Sequence, residues 1–169
     1  KPIAVRTTQG AWYRQWRLVS LDGSTLDVAD EKAHEDAFGR PGASRGHSAY
    51  PQIRFVALVE NGTQVLFGSK LDAYGTAEIT LAKEVLLRLR KGMLCLADRQ
   101  FFGFQLWKQA QATGADLLWR VKKNLRLECE KRLPDGSYLS RIYPSERDWR
   151  HKSCGLVVRV IDYWLDGVA

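Results

Sequence analysis

The 169-residue chain reads as an α/β domain built on a mixed sheet, with a β-rich segment at its C-terminal end. Three observations predict this class. Three strand-length runs come first, joined as a meander. Two helix-period segments follow, each leading into a short apolar run. The pattern then returns to short strands and turn residues.

Residues 12–21 (WYRQWRLVSL) form the first strand, stopped by Asp22-Gly23. A polar stretch covers residues 27–50, and its GRPGASRGHSAYP portion has the glycine, proline and serine density of a loop. Residues 53–60 are the second strand. Asn61-Gly62 is a strong hairpin signal, and residues 64–71 return as the third strand. The period then becomes helical. Thr76 is placed to cap residues 77–91, with Ile79, Ala82, Val85, Leu86 and Leu89 on one face and Gly92 past the last turn. MLCLA, residues 93–97, is a strand buried on both faces, and Asp98 follows it at once. Residues 101–113 are a second helix, stopped by Gly114, and residues 115–121 (ADLLWRV) are the next buried strand. Strand, helix and strand in that order imply a parallel pair with a right-handed crossover.

After Lys122 the sequence LRLECEKRL, the turn residues Pro134-Asp135-Gly136-Ser137 and YLSRIY read as an antiparallel hairpin. A basic, aromatic loop (SERDWRHKSCG) leads to a last strand, LVVRVIDYWL. A three-strand meander followed by helix, strand, helix and strand is the ribonuclease-H-like order. The expected division is residues 1–123 as an incomplete core of this kind and residues 124–169 as part of a β-rich insertion. The chain opens at Lys1, has its only Met at position 93 and stops after a strand-like run, so it reads as a piece of a longer protein.

Hydrophobic residues make up 45% and charged residues 27%, which excludes wholesale disorder. No apolar run approaches the roughly 18 residues of a membrane helix. The net charge of +7 points to a polyanionic partner, nucleic acid ahead of an anionic membrane. Between Arg120 and Lys152 ten basic residues face five acidic ones, so this window carries +5 of the excess; a solvated face is the plainer reading of such a run. Cys95, Cys129 and Cys154 are odd in number and widely spaced, which supports neither a disulfide framework nor zinc and fits a reducing compartment. Cys95, inside MLCLA, reads as core packing.

Two acids stand out by position. Asp22 ends the first strand and Asp98 follows the fourth, and these strands are neighbours in the inferred topology. Carboxylates gathered at one sheet rim repel unless a divalent cation lies between them, and hard oxygen ligands suit Mg²⁺ or Mn²⁺. Two such ions about 4 Å apart activate an attacking hydroxyl and stabilise the leaving oxygen of a phosphodiester. Each acid also has a plain structural reading. Asp22-Gly23 can be a hairpin turn, and Asp98 can cap the helix that follows. Asp27, Asp30, Glu31, Glu35 and Asp36 read as loop solvation and helix capping, and Asp135 and Asp166 as turn residues.

The segments LVSLDGSTLDVAD, AFGRPG, AYPQIRFVALVENGT, RLRKGMLCLADRQFFGFQLWKQAQATGADLLWRVKKN and LPDGSYLSRIYP resemble the catalytic core of DDE-class insertion-sequence transposases, in the group with a Tyr-Arg-Glu-Lys signature. The resemblance runs over residues 16–165. Carried over by motif, it implies that Asp22 and Asp98 are the first two catalytic acids and metal ligands. It also implies Mg²⁺ or Mn²⁺ as cofactor, two ions in the complete site. DNA (transposon ends and target) is the implied partner, with a homodimer for the parent protein and a bacterial cytoplasmic, nucleoid-associated location. No other cofactor is implied.

The family's third acid and its Tyr-x2-Arg-x3-Glu-x6-Lys signature are missing. The nearest imitation, Tyr138-x2-Arg141-x4-Glu146-x5-Lys152, is off by one in both later spacings, and Pro144 argues against the helix that would present Glu146. The chain is therefore expected to be inert or nearly so by itself. Arg99 either meets a scissile phosphate or pairs with the sheet-end acids. Lys122, Lys123, Arg126, Lys131 and Arg132 are candidate phosphate contacts, as are Arg40, Arg45 and His47 of the glycine-rich loop. Trp149, next to Arg150, suits stacking on an unpaired base, or else packs the hairpin it closes. Two other readings remain. One is a non-catalytic DNA-binding remnant of a transposase. The other is an unrelated ribonuclease-H-like nuclease that completes its site with Asp116 or Asp162.

Overall fold

The computed structural model describes residues 1–43, 46–47 and 50–163. The chain forms two compact units, Lys1–Val121 and Lys122–Ala169.

The first unit opens with an arm that leads into β1 (Trp12–Tyr13) and β2 (Trp16–Asp27), paired as a tight hairpin whose tip holds Arg14 at φ 54°. Then come α1 (Lys32–Phe38), the two-residue strands β3 (Gly42–Ala43) and β4 (Gly46–His47), β5 (Gln52–Glu60) and β6 (Val65–Ala73). Helix α2 (Glu78–Val85) tightens into a 3-10 turn at Leu86–Arg88, followed by β7 (Met93–Ala97), α3 (Phe104–Ala112) and β8 (Asp116–Trp119). The sheet order is β6-β5-β2-β7-β8, with β1 also on β2. Strands β6, β5 and β2 are antiparallel neighbours, whereas β2, β7 and β8 run parallel. This is the mixed, ribonuclease-H-like α/β sheet expected from the meander followed by two crossovers.

One sheet face is the core. Val19, Leu21, Val56, Leu58, Cys95 and Ala97 pack there against Leu81, Ala82, Val85, Leu86 and Leu89, and against Leu106 and Ala110 of α3. Alternation along β7, buried at Met93, Cys95 and Ala97 and half-buried at Leu94 and Leu96, leaves the opposite face more open. Trp107 meets Trp119 edge-to-face at 5.3 Å, which covers the end of this core.

Several elements differ from expectation. The first strand does not stop at Asp22-Gly23. It runs on to Asp27, because residues 23–27 keep pairing with residues 52–56 of β5. The expected helix 77–91 is shorter: Leu89 is already extended at ψ 153°, and Gly92, at φ 85°, turns the chain into β7. Thr76 does not cap it. The N-cap is Ala77, with no side-chain bond. Ile79 is 45% exposed and Leu81 takes its place in the core at 1%. The polar stretch holds α1, which the loop-like composition concealed.

At the other end of β5, Glu60 is fully buried. Its carboxylate accepts the Ile3 and Ala4 N–H groups at 3.0 and 2.8 Å and the Thr63 hydroxyl at 2.6 Å, and pairs with Arg17. Gly62 lets the arm cross the hairpin, since a Cβ there would lie 2.5 Å from the Gln9 carbonyl oxygen.

The second unit contains β9 (Lys131–Arg132), β10 (Tyr138–Ile142), α4 (Glu146–His151) and β11 (Leu156–Val160), in the antiparallel order β11-β10-β9. The expected loop around Trp149 is thus a helix. Pro144 does not prevent it, because the ring stands outside the first turn and removes no helical hydrogen bond. Ser145 caps the helix instead, accepting the Asp148 N–H at 3.1 Å. The last strand ends at Val160, and residues 164–169, including Asp166, lie outside the described residues. No helix among the described residues is long and apolar enough to cross a membrane.

Candidate active site

The parallel register of β2 and β7 pairs Leu21 with Ala97 as its last step. Asp22 and Asp98 are the next residues on the two chains. They lie one step beyond the last paired position, where the two strands part. Asp22 stays in the sheet through β5, opposite Ala57, but has lost its β7 neighbour. It marks the point where the parallel pair opens. Side-chain alternation turns Asp22 to the face opposite Leu21, away from α2 and α3.

Both carboxylates are exposed. One oxygen of each is held locally: Asp22 Oδ1 accepts the Gly23 N–H at 2.9 Å, and Asp98 Oδ1 accepts the Arg99 N–H at 2.7 Å. Among the described residues no cation pairs with Asp22, whereas Arg120 reaches Asp98 at 3.6 Å. The turn reading of Asp22-Gly23 fails, because both residues are strand. A Cβ at Gly23 would lie 2.9 Å from the carboxyl end of the Glu78 side chain, on the first turn of α2. Glu78 is therefore close in space to Gly23, on the sheet face opposite the Asp22 side chain, and it pairs with Arg54 at 3.4 Å.

Two carboxylates with a free oxygen each, open to solvent at one rim, are a donor set suited to a hard divalent cation. They do not make a metal group by themselves: among the described residues no three His, Cys, Asp or Glu side chains gather as one. Asp116 does not complete it. It begins β8 level with Leu94, at the opposite rim, and accepts the Trp16 indole N–H at 2.6 Å. Asp162 follows β11 in the second unit. Glu146 opens α4, paired with Arg150.

Arg99 is exposed and makes no ion pair with the sheet-end acids among the described residues; Arg120 does. Arg120 was legible only as part of a basic run. Its role comes from register, for Ala97 pairs with Trp119 and the Arg120 N–H donates to the Ala97 carbonyl at 2.9 Å. Lys122, Lys123 and Arg126 are exposed on the stretch that leads out of β8, and Lys131 and Arg132 are exposed on β9. Trp149 is half-buried rather than free, with the Lys152 ammonium 4.8 Å from its ring. Arg150 is bound to Glu146. Arg40, proposed from sequence for phosphate, instead pairs with Asp30 and Glu35, which hold its guanidinium pKa up. His47 lies on β4, and Arg45 is outside the described residues.

The family described as Transposase DDE domain matches residues 15–158. The putative transposase InsZ of Escherichia coli (strain K12) is 25% identical over 115 residues, covering 66% of this chain and 38% of the relative. Transposase InsG for insertion sequence element IS4, from the same organism, is 22% identical over 130 residues, covering 76% and 29%. The chain thus spans about a third of the length of these relatives. A solved piggyBac transposase synaptic complex with hairpin DNA aligns over 89% of this chain and 34% of its own, with 12% identity and a TM-score of 0.46. With the match running from just before β2 into β11, the chain belongs to the transposase DDE domain family.

Proposed function

We propose that the chain is the two-carboxylate part of a transposase core that cleaves DNA strands and transfers them to a new site. The observation that supports this reading is the register of β2 and β7, whose last pair, Leu21 and Ala97, immediately precedes the two acids. Asp22 and Asp98 would hold the divalent cation through the oxygens that their own backbone leaves free. A bound Mg²⁺ or Mn²⁺ supplies Lewis acidity at the scissile phosphodiester. Arg120 steadies the Asp98 carboxylate, and Arg99, next in the chain and unpaired with these acids, is available to a phosphate oxygen. The exposed Lys122, Lys123, Arg126, Lys131 and Arg132 would position DNA through its backbone without reading sequence.

The test is Mn²⁺ binding to the chain followed by paramagnetic broadening of backbone signals, together with DNA binding as a function of salt. Broadening centred on Asp22 and Asp98, lost in both Asp22→Asn and Asp98→Asn, is the expected result. Salt-sensitive DNA binding without any metal effect at these carboxylates would favour a DNA-binding remnant of a transposase. Efficient cleavage of DNA by this chain alone would show that a third ligand is already present.

A further inference from the structure

The rim opposite Asp22 and Asp98 carries a second concentration of chemistry. Arg17, the start of the β2–β7 pairing, is five residues before Asp22, roughly 17 Å at the strand rise. Here Tyr13 and Trp16, directly opposite each other in the β1–β2 hairpin, stack with ring centroids 6.3 Å apart and planes within 11°. Tyr13 is 51% exposed. The Arg14 guanidinium lies 5.5 Å from the Tyr13 ring, and Arg6 lies 4.0 Å from Trp12.

The charge is not balanced. Arg6 donates only to the carbonyls of Arg14 and Gln15, and among the described residues neither Arg6 nor Arg14 has an acidic partner. Glu60 is occupied by Arg17, and Asp116 by the Trp16 indole. A cross-strand aromatic pair alone would stabilise the hairpin. It does not require exposed Arg14 over Tyr13 and exposed Arg6 over the neighbouring Trp12. A flat exposed ring flanked by uncompensated guanidinium groups is complementary to a base face and its adjoining phosphates.

We propose that the β1–β2 hairpin and Arg6 form a separate contact surface for a single DNA strand, with an unpaired base on the Tyr13–Trp16 stack and phosphates on Arg6 and Arg14. This rests on DNA being the partner of the chain. The surface lies on the far rim of the sheet from the candidate carboxylates, so it would hold DNA away from the reacting bond.

The experiment is fluorescence anisotropy of the full chain with a labelled single-stranded oligonucleotide of about 16 nucleotides and with the matching duplex. Tyr13→Ala is expected to weaken single-strand binding about fivefold or more. Arg14→Asn, chosen because Asn suits the left-handed backbone there, should weaken it and make its log–log salt slope shallower by about 0.7. Lys108→Gln, at an exposed position of α3, is the control for general charge and should stay close to the parent chain. If Tyr13→Ala loosens the fold, Arg14→Asn and its salt slope decide. Should the parent chain bind DNA while both hairpin variants match Lys108→Gln, this inference is overturned and the DNA reading stands. Should the parent chain bind neither single strand nor duplex, both are overturned together.

Discussion

Glu60 shows how one buried charge can organise a chain terminus. Burial raises its pKa, but the Thr63 hydroxyl, the Ile3 and Ala4 N–H groups and Arg17 outweigh that and bring it below the usual 4.5. A carboxylate whose folded pKa is depressed adds stability that is fully present above its unfolded pKa and is lost as pH falls through the folded one. Urea midpoints should therefore be flat above about pH 5.5 and fall below about pH 4.5. Glu60→Gln should cost about 3 kcal/mol at neutral pH, by leaving Arg17 without its partner charge, and the gap should narrow in acid. A gap that stays constant down to pH 3 would remove Glu60 from this role. Cys95 gives a second test at this scale. Burial pushes its thiol pKa up to about 12, while Cys129 and Cys154 are exposed. Native alkylation at about pH 8 should label Cys129 and Cys154 and spare Cys95, read by mass spectrometry. Asp22 and Asp98 themselves were legible from the words around them. Arg120 was not, because only the β7–β8 register brings it to Asp98.

At the scale of elements, α2 separates pattern from packing. The helical period through residues 77–91 places Ile79, Ala82, Val85, Leu86 and Leu89 on one face; the last four are buried as expected, and only Ile79 is exposed. The helix ends a turn early and presents Leu81. Leu81→Ala should thus cost about 2–5 kcal/mol in chemical denaturation, and Ile79→Ala less than about 0.5. Equal losses would mean that Ile79 is buried as well. The Asn61-Gly62 hairpin has a similar lesson. The turn was legible, but Gly62 is needed for the arm that crosses it: its missing Cβ would meet backbone at Gln9 and Ala11. Gly62→Ala should cost about 1–3 kcal/mol, whereas a turn indifferent to the arm would lose almost nothing. The Asp22-Gly23 pair, a turn signal in isolation, is strand here because β5 continues to pair beyond it.

At the scale of the whole molecule, the two units meet at Val121 and Lys122. Residues 122–127 have no strand or helix, and Lys122, Lys123 and Arg126 are exposed. Limited trypsin digestion should cut here first and release a fragment close to residues 1–122, resolved by intact mass. First cuts inside β2, β5 or β7 would contradict the division. Although α1 and α4 escaped it, the sequence by itself determined the class of the sheet and the order of the strands and helices that build it, and it marked Asp22 and Asp98 as candidates. These depend on local period, turn chemistry and short specific words, all of which are properties of neighbouring residues. Only the tertiary structure decided which strand carries on past Asp22, that Leu81 rather than Ile79 joins the buried face of α2, what Arg120 and Glu60 pair with, and that β1 and Arg6 build an aromatic, basic rim far from the acids. Those outcomes depend on register and on contacts between residues distant in the chain, where a shift of one position exchanges the two faces of a strand.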